Sequence, residues 1–500
     1  MRRQSLQQAR AGAEAQIGAR LSAEQERALD VVTGEGGVSV LVGQAGTGKG
    51  VVISAAREAW EADGHRVIGT AVAGATAKRL GADTGMCETM TTDALLGRVQ
   101  SGRLGLDERS VVVMDEAGMA DTRRLAGLTR ATSESGSKLV LVGDQDQLSP
   151  IGAGGLFDSV RSRVPSAELT EVHRARDQWE RDAWAQVRAG DAAPALAAYR
   201  ARDRLHISGT REEAGGRMVD DWDRARRDIG ERGCVMIGDA SNAELDRLNA
   251  LAQDRRLQAG ELGAARAELP GRPYGLHADD EVLLTGAFYE PGRERVENGT
   301  RAHVTQARGR KVILRTEEPQ PREVRVDTRR FSELRLAYAQ HVYKAQGATV
   351  DRALVLTGGW QTDRESAYVA VTRARQRTDL YVSREDLGED GMDDGAIQRL
   401  SERIVVSRAQ QASITQAEAP RHASIGRGEE PAHASVTEGQ GHWQGALRQI
   451  ERSEERVEES IEQVPGGSPG VRRESVVGRI LRERKELEAQ RAIERGRGRD

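Results

Sequence analysis

Lys49 closes the run Gly43-Gln44-Ala45-Gly46-Thr47-Gly48-Lys49-Gly50, which has the G-x-x-x-x-G-K spacing of a phosphate-binding P-loop. Gly43, Gly46 and Gly48 let backbone N–H groups converge on phosphate oxygens, and Lys49 adds a mobile positive charge. The chain carries 56 glycines, so their spacing means little by itself. Lys49, together with the apolar run Val38–Val42 before it, makes the pattern specific. Position 50 departs from the pattern: the Ser or Thr usual there offers a hydroxyl to Mg²⁺, and Gly50 offers none. Ser54, one turn on, is too far along to replace it, so either water fills that place or hydrolysis is weakened. Asp115 and Glu116 end a second apolar run, Ser110–Met114. Asp115 suits a Mg²⁺ held through water, and Glu116 suits orienting or deprotonating an attacking water. Gln147, past a third apolar run, is placed to sense a terminal phosphate. The chemistry these groups imply is hydrolysis of a nucleoside triphosphate.

The elements that must position them alternate. Val38–Val42, His65–Ala71, Ser110–Met114 and Ser137–Val142 read as strands separated by helical patterns, which predicts a parallel sheet with its ligand at the strands' carboxyl ends. Each polar motif above sits at such an end. Upstream, Ser22 reads as the N-cap of a helix, with Gln25 as its capping-box partner. In the second half, Gly233–Gly238, Asp351–Leu356 and Asp379–Val382 read as strands, and Ser241 to Glu244 as a capping box opening a helix to about Gln258. This predicts a second α/β domain. It is interrupted by short strands at Glu281–Leu284, Arg301–Thr305, Lys311–Arg315 and Glu323–Asp327, with a turn at Glu297–Thr300, which predicts a small inserted β-barrel.

Composition bounds the rest. Five hundred residues suggest about three domains. The formal net charge of −4 leaves no global basic excess, so any nucleic-acid contact needs a local basic channel. Aromatics are 3% of the chain, so base stacking can involve only a few residues. Cys87 and Cys234 lack metal-site spacing and read as buried small apolar residues in a reducing compartment. No apolar run approaches ~18 residues, and Met1–Arg20 lacks a signal-like apolar core, so a cytoplasmic protein without membrane contact is expected. From about Asp386 the chain becomes highly charged. Asp393–Gln411 can form a helix, residues 412–445 lack periodicity and are expected to be disordered, and Pro465–Gly470 reads as a linker. The mixed-charge segment to Arg497 is either a solvated tail or one that binds a partner or DNA.

By its ordered motifs the chain resembles superfamily 1 DNA helicases. It resembles most the branch containing the RecD-type alpha subunit of exonuclease V and the helicase part of TraA/TraI-type conjugative relaxases. Asp115–Met119 and Gly143–Ile151 are similar to motifs II and III of that branch, Leu21–Gln25 to its adenine-reading Q motif, and Thr70–Leu80 to the strand-binding motif Ia. Glu168–Arg176 is similar to motif IV, which makes Arg174 the matching phosphate-contacting arginine. Lys344–Thr349 is similar to motif V, and Ala367–Arg375 to motif VI, with Arg373 as the matching arginine finger. His341 and Tyr343 stand where the family has Thr and His; Tyr343 remains able to stack on a base, worth ~1–3 kcal/mol.

The resemblance implies two RecA-like domains, residues 21–165 and 166–270 with 336–385. A polar lead-in (1–20), an SH3-like barrel (271–335) and a charged, largely disordered or helical tail (386–500) complete the chain. It implies ATP and Mg²⁺ as ligands. Gln25, the whole loop Gly43–Gly50, Lys49, Asp115, Glu116, Gln147, Arg174 and Arg373 would form the site, with Asp115 on the metal. Thr70, Thr76, Tyr343, Gln346 and Thr349 would contact single-stranded DNA. The expected activity is ATP-driven 5′→3′ movement on single-stranded DNA, in conjugative transfer or as a RecD-like repair subunit. A relaxase, conjugation or repair protein is a possible partner for the tail. Gly50 motivates a rival: a binding scaffold that no longer hydrolyses. The relaxases' nicking domain uses a histidine cluster, and this chain has no H-x-H triad, so no DNA nicking is expected. The segment Ser101–Ser110 leaves room for only a small strand-separating pin.

Overall fold

The computed structural model describes residues 2–144, 146–148, 156–172, 174, 176–230, 233–290, 295–317, 320–388 and 393–408. They fall in a compact unit, Met1–Ala419; a second unit, Pro420–Asp500, lies outside the described residues, as does the expected disorder of the tail.

The first lobe is built on β1 (Val38–Gly43), β2 (Arg66–Ala71), β3 (Glu88–Thr91), β4 (Ser110–Met114), β5 (Lys138–Gly143) and β6 (Ser166–Leu169). The strands run in the order β3-β2-β4-β5-β1-β6, all parallel. β1, β4 and β5 are rich in Val and Leu and buried almost throughout, as expected of central parallel strands covered on both faces. Separate apolar cores lie on the two faces, one containing Leu41, Val113 and Trp60, the other Val40, Val112 and Leu128. β1 lies between β5 and β6, so the loop after it opens where the strand order reverses. The helix Ala23–Thr33 starts at Ser22 with the expected capping box to Gln25. The lead-in forms the helix Arg3–Ile17 and docks on Lys49–Ala62. Ala9 and Ala13 are buried, and Ser5 Oγ donates to Asp63 Oδ1 at 2.6 Å.

The second lobe begins with β7 (Leu205–Ser208) and β8 (Cys234–Gly238). The chain then leaves the sheet through β9 (Arg266–Glu268) and β10 (Gly275–His277), an antiparallel pair. The insert proper follows: β11 (Glu281–Leu284), β12 (Arg301–Arg308), β13 (Lys311–Thr316), β14 (Glu323–Asp327) and β15 (Leu334–Leu336). These form an antiparallel sheet ordered β14-β13-β12-β11-β15, with a register shift between Val304 and Gln306 that helps it curl. β16 (Ala339–His341), β17 (Val350–Leu356) and β18 (Ala374–Ser383) return to the second sheet, ordered β16-β8-β17-β18-β7 and parallel throughout. The insert has no separate core: Val304, Leu314 and Leu334 join Met218, Trp222 and Leu354 in one apolar cluster.

Three expectations need correction. The first lobe does not end at residue 165, because β6 pairs with β1 across Val40–Gly43. The second lobe does not end at 385: the helix Asp393–Val405 buries Ala396, Leu400 and Ile404 in its core. Cys234 is buried as expected, but Cys87 is exposed.

Candidate functional site

The loops at the carboxyl ends of β1, β4 and β5 face one cavity of about 550 Å³. Its first-lobe wall contains the loop Gln44–Gly50 with Lys49, then Asp115, Glu116 and Gln147. Its other wall contains Arg174, Thr349 and Arg373. Every expected site residue except Gln25 and Gly43 therefore lines one space.

The loop is shaped by left-handed glycines. Gly46 and Gly48 both have φ +85, where a side chain is strained. A Cβ on Gly46 would also lie 2.4 Å from Arg174 Cβ. Lys49 Nζ donates to the carbonyls of Gly43 and Gln44 at 2.5 and 3.1 Å, folded back on its own loop. Gln25 sits behind the loop. Its Oε1 accepts from Ser22 N at 3.0 Å, and its Nε2 donates to Thr47 O at 3.4 Å. In this arrangement Gln25 braces Gly48, whose Cβ would meet its Nε2 at 2.5 Å, instead of lining the cavity. Ser54 Oγ donates to Thr84 O, so it supplies nothing to the site.

Asp115 is buried. Burial, and then the neighbouring Glu116 charge, push its carboxyl up to about 6 against the pull of Lys49. A divalent cation beside it would restore the ionised form, so this carboxylate fits a metal. No metal-type cluster of three His, Cys, Asp or Glu occurs among the described residues. With Gly50 lacking a hydroxyl, the remaining coordination places fall to water and phosphate. Glu116 has φ +51, a left-handed conformation that costs a non-glycine residue ~1–3 kcal/mol and is concentrated at functional sites. Gln147 Nε2 donates to Asp144 Oδ2 at 3.0 Å, while its Oε1 is buried without a hydrogen-bond partner among the described residues.

The two arginines arrive from different directions. Arg174 lies in the segment just after β6, where the chain crosses between lobes, and its Nη1 donates to Thr372 O at 2.8 Å. Arg373 is 1% exposed and donates to Val369 O, Ala348 O and Thr372 Oγ1. Burial pushes Arg373 down to about 10, and burial together with the nearby Arg373 charge pushes Arg174 down to about 9. Arg79 adds to the positive field on both. Like charges facing one concavity are stabilised by a polyanion.

Sequence reasoning missed three contributors. Arg79 projects from the helix Gly74–Thr84 into the cavity. Asp144, just after β5, is buried beside Gln147, its carboxyl raised by that burial. Tyr368 reaches across from the helix Arg364–Val371: its hydroxyl accepts from Ala45 N and donates to Asp144 Oδ2, both at 3.4 Å. All three lie inside or beside quoted motifs, but only folding shows that they converge.

The expected strand-contacting residues divide. Thr70 is 0% exposed and bonded to Thr92, so its side chain faces the interior of the first lobe. Thr349 lines the cavity, and Gln346 reaches Glu116, so neither is placed on an outer groove. Thr76 is half-buried on its helix, near the insert's turn: a Cβ on Gly74 would lie 2.7 Å from Glu297 Cγ. Tyr343 is 51% exposed and stacks on His341, ring centroids 5.1 Å apart, with Lys344 Nζ 5.7 Å above its ring.

The class these features define is a P-loop nucleotide-binding domain, and residues 20–210 match the family model described as AAA domain. The particular resemblance to the RecD/TraA branch also holds. The chain is 35% identical over 388 residues to a probable conjugal transfer protein TraA of Sinorhizobium fredii, covering 77% of this chain and 34% of that protein. It is 30% identical over 370 residues to the ATP-dependent RecD2 DNA helicase of Deinococcus radiodurans, covering 71% of this chain and 48% of that one. The chain thus spans about one third of the length of the TraA relatives it matches. Among solved structures, the Pif1 helicase of Candida albicans aligns with a TM-score of 0.49 at 18% identity, over 78% of this chain and 96% of that one. No helix among the described residues is long and apolar enough to cross a membrane.

Proposed function

We infer that this chain is an ATP-dependent DNA helicase or translocase that moves 5′→3′ along single-stranded DNA in conjugative transfer. One observation carries this reading: Lys49, Asp115 and Glu116 face Arg174 and Arg373 across a single cavity whose walls come from the two lobes. A triphosphate there draws the arginines toward the glycine loop. Glu116 takes the proton from the attacking water, whose oxygen bonds to the terminal phosphorus as the bond to the leaving diphosphate breaks. Loss of the terminal phosphate relaxes the attraction, and alternating closure moves the lobes relative to one another along the strand. Mg²⁺ supplies charge neutralisation to the phosphates and would be held by Asp115, with water where Gly50 has no hydroxyl. Gln25 reaches adenine only after leaving Thr47 O. The insert acts as an SH3-like strand grip, with Tyr343 and Thr76 facing the same strand, and the residues beyond 408 tether a relaxase or another transfer protein. A cytoplasmic setting suits this work.

The similarity to RecD-type proteins favours a second reading, a DNA-repair helicase subunit. The deciding experiment measures ATP hydrolysis with and without single-stranded DNA, in the parent and in Lys49→Ala. Stimulation by DNA that disappears in Lys49→Ala supports a motor. Nucleotide and DNA binding with no hydrolysis leaves a scaffold. Copurification with a nuclease instead of transfer proteins selects the repair reading.

A further inference from the structure

The short helix Val342–Ala345 has two faces with different neighbours. Outward, Tyr343 is exposed and Lys344 Nζ contacts Asn298 of the insert's turn at 3.4 Å. Immediately after the helix the chain turns inward at Gln346, which is 7% exposed. Its Nε2 donates to Glu116 Oε2 at 3.0 Å, across 230 residues of sequence and across the two lobes. Its Oε1 is buried with no hydrogen-bond partner among the described residues. Its backbone carbonyl accepts from Arg79 Nη2 at 3.4 Å. The next residue, Gly347, has φ +74, and a Cβ there would lie 2.1 Å from the same guanidinium. The turn that aims Gln346 at Glu116 is therefore closely fitted to its surroundings.

A carboxylate oxygen that accepts an amide N–H has less electron density to offer a water proton, and its orientation is fixed by the donor. The amide cannot take that proton itself. We propose that Gln346 is a positioning residue that restrains Glu116 in an unproductive orientation until a DNA strand, engaging Tyr343 and Lys344 on the outer face of the same turn, withdraws it. It rests on the assignment of Glu116 as the base that activates water. Only Lys344 and Ala345 lie between Tyr343 and Gln346, so a displacement of the helix by a stacked base is carried along the chain to the amide. The restraint suppresses hydrolysis in the absence of DNA, and DNA stimulation is its release.

The test compares the full chain with Gln346→Ala and with Gln346→Met, which keeps the side-chain length but has no N–H donor. ATP turnover is measured without DNA and with saturating oligothymidylate, and strand affinity is measured separately by fluorescence anisotropy. In both variants the DNA-free kcat is expected to rise on the order of tenfold, the rate equivalent of one hydrogen bond to a charged group. The DNA-saturated kcat stays close to that of the parent, so the stimulation ratio falls. Adding Lys49→Ala abolishes the raised rate. An unchanged or lower DNA-free kcat in a folded Gln346→Met protein overturns the proposal. So does a loss of strand affinity that by itself accounts for the fall in stimulation, since Gln346 would then be a strand contact. A parent that shows no DNA-stimulated hydrolysis refutes the motor reading as well; a parent that shows it, with variants silent in the DNA-free assay, refutes only the restraint.

Discussion

The two walls of the cavity are built on different principles. The first-lobe wall is mainly backbone geometry: a strand ends, glycines take left-handed conformations, and the loop with Lys49 lines the cavity. The second-lobe wall is side-chain reach. Arg373 is buried and spends its donors on Val369, Ala348 and Thr372, while Arg174 spends one on Thr372. One wall has its backbone already shaped for phosphate, with only Lys49 and the Ala45 amide to be released from internal partners, and the other must exchange the hydrogen bonds of both its arginines for bonds to a ligand. A binding site needs only the first; a cycle that couples ligand to lobe movement needs the second to be satisfied in both states. In the proposed cycle the internal partners of Arg373 would be the resting half of a switch, and they lower the free-energy cost of burying its guanidinium.

The strongest way to break this comparison is to remove the reaching wall. Arg373→Ala should lower ATP turnover by roughly 10³–10⁵-fold, with nucleotide binding retained through the loop. Arg373→Lys should recover little, because a point charge cannot reproduce the planar set of donors. Arg174→Ala should cost less, roughly 10²-fold, since Arg373 remains. Steady-state ATPase, with nucleotide titration and circular dichroism as controls, checks all three. If turnover drops no more in Arg373→Ala than in Arg174→Ala, the switch does not centre on Arg373.

The prepared wall can be probed through its stored strain. The folded Asp115 carboxyl titrates near 6, above its ordinary value of 3.8. The folded state therefore holds a proton that the unfolded chain releases, and the parent gains stability as pH falls from above 6 toward 4. At neutral pH the charged carboxylate opposes folding, by on the order of 2–3 kcal/mol. Asp115→Asn should accordingly raise the nucleotide-free melting temperature at pH 7 while abolishing Mg²⁺-dependent turnover, and the gain should shrink as pH falls through 6 and vanish only below 3.8, the ordinary value of the group. A variant melting below the parent at pH 7 would mean that Asp115 is structural.

The same asymmetry governs what could be read in advance. The first wall was legible because its residues are contiguous and each motif ends a strongly apolar strand. Short polar strands were not: β3, β6, β7 and β16 have three or four residues each, and only pairing with a neighbour makes them strands. Missing β6 moved the lobe boundary by one element. Across the cleft, Arg174 and Arg373 were found by motif similarity, whereas Tyr368 and Arg79 were passed over, because nothing local says which face of a helix meets another lobe. Thr70 illustrates the opposite error: its place in the stretch similar to motif Ia implied contact with DNA, but the sheet buries it against Thr92.

The smallest expected effect belongs to a side chain that joins the second lobe to the phosphate loop itself. Tyr368 accepts a long hydrogen bond from Ala45 N, an amide of the phosphate loop, and burial keeps its hydroxyl protonated. In Tyr368→Phe the ring still packs, and the Ala45 N–H loses a competitor for phosphate oxygen. The KM for ATP should therefore fall by about twofold to threefold, as expected of a hydrogen bond worth ~0.5 kcal/mol, with little change in kcat. Titration with ADP should show the same tightening, because the loop amides face the phosphates that both nucleotides share. A KM that rises instead would place the hydroxyl on the nucleotide, and the second wall would then touch the ligand through a third group besides its two arginines.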